Sequence, residues 1–61
     1  MSSKDKRQDV IDRIEDAVFE LMLTTDIPEI KIHDVVRLAQ TSRSTFYRYF
    51  DSVDAVVKSF E

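Results

Sequence analysis

Sixty-one residues allow one domain at most, and a chain this short buries only about 60% of its extended surface, which leaves little room for a substrate pocket. It has no cysteine and a single histidine, so neither a disulfide nor a histidine–cysteine metal site can staple it. The formal charge of -3 disfavours a nucleic-acid partner in bulk, and no apolar run approaches the roughly 18 residues of a membrane span. Without a signal-peptide core either, the expectation is a soluble cytoplasmic protein.

Average usage near 7% predicts about four glycines in this length, and none occurs. Tight hairpins are hard to build without them, whereas short helix–helix connections are not. The expected class is therefore all-α. The charge is also unevenly placed: residues 1–30 carry net -4, residues 31–50 net +3, and residues 51–61 net -2.

Met1 to Arg7 lacks periodicity and is expected to be a disordered basic arm. A solvated tail is its simplest reading; Lys4, Lys6 and Arg7 would touch phosphate only if the arm lay near DNA. From Gln8 to Thr24, Val10, Ile11, Ile14, Ala17, Val18, Leu21 and Met22 recur at helical spacing, with Phe19 and Leu23 widening the stripe. Asp9, Asp12, Glu15, Asp16 and Glu20 line the other face, mostly early in the helix where the macrodipole favours anions. Phosphate would repel that face, so this helix reads as a support.

Thr25 to Glu29 breaks the helix. Asp26 is expected to be left-handed after the last turn, Pro28 disfavours helical geometry at Ile27, and Ile27 and Ile30 should plug the core. A second helix is expected over residues 32–39, with Val35, Val36, Leu38 and Ala39 on its apolar side. Lys31 precedes it and His33 lies in its first turn, where each can reach a phosphate or groove edge; an exposed histidine with no role is the simpler alternative.

The stretch Thr41 to Phe50 holds two of the four phenylalanines, both tyrosines and two arginines, and no acid. As a helix over residues 43–50 capped by Ser42, it places Phe46 and Phe50 on one face and Ser44 and Arg48 on the other. Arg43 and Arg48 suit guanine edges or phosphates, since a guanidinium fork matches both; two solvated arginines are the plain alternative. Tyr47 and Tyr49 can donate to phosphate oxygens, or their rings can complete the core. Two short helices joined by a few residues, the second carrying polar readers, suggest a helix-turn-helix. Ser52 is expected to cap a fourth helix over residues 53–60, whose stripe Val53, Val56, Val57 and Phe60 looks unfinished and suited to a partner.

Enzyme signatures are absent: there is no glycine-rich phosphate loop and no nucleophile motif, so no catalytic residue, cofactor or metal site is expected. The expected architecture is a three-helix, homeodomain-like helix-turn-helix domain plus the start of a fourth helix. The rival is a non-enzymatic helical protein-interaction module with a degenerate helix-turn-helix, favoured by the acidic total and the helix-four stripe.

The segment Ser42-Arg43-Ser44-Thr45-Phe46-Tyr47-Arg48-Tyr49-Phe50 resembles the recognition segment S-R-x-T-(F/L)-Y-x-(H/Y)-F of tetracycline-repressor-type (TetR/AcrR) transcriptional regulators. Ile14, Ala17 and Leu21 look like that family's helix-one core, and Asp34-Val35-Val36 with Ala39 looks like its helix-two "D-I-A…A". The resemblance covers residues 8–60 without gaps. It implies base or phosphate contacts from Ser42, Arg43, Ser44 and Thr45, phosphate contacts from Tyr47 and Tyr49, and a groove-reaching His33. It also implies a repressor that binds a palindromic double-stranded operator as a homodimer through a longer parent, in the cytoplasm on the nucleoid, while this chain alone is expected to be monomeric. Four positions depart from the pattern: Gln40 and Asp26 stand where glycines are usual, Lys31 replaces a capping threonine, and Val53 replaces a phosphate-gripping lysine.

Overall fold

A computed structural model describes residues 6–60. The described residues form four α-helices and one 3-10 turn, with no strand: α1 (Lys6–Met22), the turn Ile27–Glu29, α2 (Ile32–Ala39), α3 (Arg43–Tyr49) and α4 (Val53–Ser59). The all-α expectation holds. The first helix starts and stops two residues earlier than its apolar spacing suggests, so Lys6 and Arg7 are helical rather than part of an arm. Met1 to Asp5, including Lys4, lie outside the described residues.

Each break has a local cause. Past Met22 the chain closes with Thr24 N–H and Thr25 N–H both donating to Leu21 O, at 3.2 and 2.8 Å. Asp26 is not left-handed, contrary to expectation; it is extended (φ -67°, ψ 145°). Its carbonyl accepts from Glu29 N–H at 2.8 Å, and Pro28 supplies the fixed φ of the 3-10 turn it opens. The left-handed residue is Gln40 (φ 58°, ψ 48°), the one positive φ among the described residues. There Gln40 N–H donates to Arg37 O at 3.2 Å and Thr41 N–H to Val36 O at 2.9 Å, the paired bonds of a Schellman ending. Gln40 therefore does the work a glycine usually does.

The core draws on every helix: Ile14, Ala17 and Val18 from α1, Val35, Val36 and Ala39 from α2, Phe46 from α3, and Val53, Val56 and Val57 from α4. Ile30 plugs it from the loop and Ile27 packs against it, as expected. α1 packs on both α2 and α4, while α3 packs on α2. No polar or charged residue is buried among the described residues.

Three expectations about apolar faces fail. Val53, Val56 and Val57 are buried, so the helix-four stripe is core and not a free surface; only Phe60 stays partly exposed, edge-on to Phe19 with ring centroids 6.5 Å apart. Phe19 is 57% exposed, because α2 and α4 cover a narrower sector of α1 than its apolar stripe spans, and Leu23, 69% exposed, lies past the helix end at Met22. Leu38 is 46% exposed instead of belonging to the core.

Candidate nucleic-acid interface

α3 is built from its cap upward. Ser42 is extended, which frees its hydroxyl to accept from Thr45 N–H at 3.1 Å. The same hydroxyl donates to Thr45 Oγ1 at 2.9 Å. Ser42 has only one proton to give, so its donor capacity is spent inside the cap, and Thr45 keeps its own proton for an outside acceptor. Ser42 thus acts as the cap that holds Thr45, rather than as an outward donor.

Phe46 fixes the rotation of the helix. Its side chain is fully buried, and its ring meets Phe50 at 5.9 Å and Tyr47 edge-on at 5.5 Å. Phe50 leaves the helix in an extended conformation (φ -138°, ψ 147°), one residue earlier than expected, while its N–H still donates to Phe46 O at 2.9 Å. With that anchor in place, Arg43, Ser44, Tyr47 and Arg48 are exposed and Tyr49 is half-buried. No acid lies in α3. Neither Arg43 nor Arg48 takes part in an ion pair with the described residues; Arg13 pairs with Asp9 at 3.6 Å and Lys58 with Asp54 at 3.7 Å. The face is cationic, hydroxyl-bearing and internally unneutralised.

Lys31 and His33 sit at the other end of α2 from the turn that launches α3. That eight-residue helix rises about 12 Å, so they cannot share one contact with Ser42 to Thr45 but can flank it. Both are exposed. Lys31 occupies the extended N-cap position of α2 with no side-chain capping bond, so its ammonium is not engaged there. Arg37, the remaining cation of the basic stretch, instead lines a hollow against α1 with Leu21, Asp34 and Leu38. Ser52 caps α4 by accepting from Ala55 N–H at 3.2 Å. Val53, at the place of the missing lysine, is buried.

Among the described residues no cluster of three histidine, aspartate or glutamate side chains is arranged to hold a metal ion, and no helix is long and apolar enough to cross a membrane. Comparison with protein-family models, with curated proteins and with solved structures finds no match to this chain.

Proposed function

We propose that this chain binds double-stranded DNA as a helix-turn-helix module of tetracycline-repressor type, with α3 lying in the major groove. The observation that carries the reading is the face of α3. Phe46 is buried behind it, no acid lies in it, and Arg43, Ser44, Tyr47 and Arg48 are exposed with no internal counter-ion. Two short helices joined through a left-handed Gln40 supply the frame.

In this reading Arg43 and Ser44 meet base edges at the N-terminal end of the helix, and Thr45 donates its remaining proton to a phosphate or base acceptor. Arg48, Tyr47, Tyr49 and Lys31 contact phosphates on either side, and His33 reaches a groove edge from α2. The acidic face of α1 is turned away by repulsion, which sets the orientation on the duplex. A longer parent would pair two such modules as a homodimer on a palindromic operator, as a cytoplasmic repressor. A single module reads one half-site and lacks the tethering gain of the second, so its binding is weak and salt-sensitive. The rival reading, a helical interaction module, rests on the acidic total and the helix-four stripe, and of these two the stripe's valines are core.

Fluorescence anisotropy on a mixed-sequence duplex tests the proposal with the chain and its Arg43→Ala/Arg48→Ala variant. The wild type should bind at low salt and weaken steeply as salt rises. The variant should lose most affinity, with a salt slope lower by about 0.9 for the phosphate contact assigned to Arg48. A wild type that binds no duplex at low salt, or a variant that binds equally well, would overturn the proposal.

A further inference from the structure

α1 packs on α2, and the buried Ala17 of α1 and Ala39 of α2 line one hollow between them. Beside this contact, two hollows that share Leu38 in their lining form a groove. One, of about 210 Å³, is lined by Asp16, Ala17, Glu20 and Gln40 among others; the second, of about 300 Å³, is lined by Leu21, Asp34, Arg37 and Leu38. Leu38 borders both and is 46% exposed.

The walls of this groove carry three carboxylates, Asp16, Glu20 and Asp34, against two arginines, Arg13 and Arg37. Asp16 and Glu20 stand one turn apart on α1, an arrangement of like charges that weakens a helix unless a cation lies between them. Neither they nor Asp34 form an ion pair with the described residues. Of the two cations at the rim, Arg13 is already shared with Asp9, which leaves only Arg37 against three carboxylates.

We infer that this groove docks a cationic amphipathic helix of a partner protein. Two large apolar side chains one turn apart, about 5–6 Å, can straddle Leu38 and enter the two hollows. Lysines or arginines beside them would meet Asp16, Glu20 and Asp34. Charge selects the occupant: the same carboxylates repel a nucleic-acid backbone and an anionic lipid surface. The inference is independent of DNA binding by α3, because it uses none of the residues assigned to the duplex.

The test is an amide-NMR titration of the whole chain with a synthetic helix of leucine and lysine whose leucines form one stripe. A glutamate-for-lysine version serves as control. Saturable shifts should centre on Asp16, Glu20, Asp34 and Leu38, and the glutamate version should leave them unmoved. Leu38→Ser should weaken binding about tenfold while keeping a cooperative melt, because Leu38 is 46% exposed and outside the buried core. Asp16→Asn/Glu20→Gln should weaken binding and flatten its salt dependence. The inference would be overturned by shifts spread along α1 and insensitive to Leu38→Ser, by equal binding of the glutamate peptide, by shifts confined to Phe19 and Phe60, or by no shifts. Concentration-dependent shifts at these residues without peptide would assign the groove to a second copy of the chain and overturn it equally.

Discussion

Replacing Gln40 by glycine should stabilise this protein. Gln40 is the hinge between α2 and α3 and holds φ 58°, ψ 48°, a conformation in which an L-residue's Cβ crowds the following carbonyl at a cost of about 1–2 kcal/mol. Glycine removes that crowding but loses about 0.5–1 kcal/mol more backbone entropy on folding, so the net gain is about 0.5–1 kcal/mol. The Gln40 side chain is exposed and makes no hydrogen bond, so its removal forfeits little else. For a domain of this size the gain corresponds to a rise of about 2–8 °C in Tm. Thermal unfolding followed by far-ultraviolet circular dichroism, checked by urea melts, reads it directly. Asparagine, which tolerates the left-handed region, should fall between glutamine and glycine, and valine should lie below glutamine. A glycine variant that melts at or below the wild type, with valine tolerated, would show that the left-handed turn does not limit stability.

Two further substitutions separate stability from binding. Phe46→Ala empties the fully buried anchor of α3 and should cost about 3–5 kcal/mol, against a total of about 3–9 kcal/mol for a chain of this length. Loss of the cooperative melt is the expected outcome; an ordinary melt near the wild-type Tm would mean that α3 is held by something else. Lys31→Ser supplies the missing cap of α2 and should raise stability by about 0.5–1 kcal/mol, while lowering the DNA salt slope by about 0.9. Anisotropy showing unchanged affinity and slope would remove Lys31 from the phosphate contacts.

The parts of the fold legible in the sequence were those decided within one helical turn. Ser42 and Ser52 were readable as caps because each bonds the N–H three residues on, and Phe46 because its neighbours on the helix are polar or aromatic. The bounds of α2 were equally local. Widths of apolar faces were not, because they depend on how many neighbours a helix has. Phe19 extends a stripe that α2 and α4 only partly cover, Leu23 lies past the helix end, and Leu38 lies beside Ala39 in sequence yet on the other side of the packing line. The α4 valines looked unpartnered for the converse reason: their partners lie in α1, more than thirty residues away. Asp26 looks left-handed because an aspartate after a last helical turn tolerates positive φ, but it is the extended N-cap of the 3-10 turn that contains Pro28. The candidate site was legible as composition, a stretch with arginines, tyrosines and no acid. The use of Ser42's hydroxyl and the placement of Arg37 against α1 required the structure.

If α3 and the start of α2 form one DNA-reading face, both must respond together when DNA binds. Amide NMR of the chain, titrated with a mixed-sequence duplex at low and moderate salt, tests it most directly. DNA reading by this face requires shifts clustered at residues 31–33 and 42–49 that weaken steeply as salt rises. Shifts that are absent, or confined to residues 1–7, would contradict it.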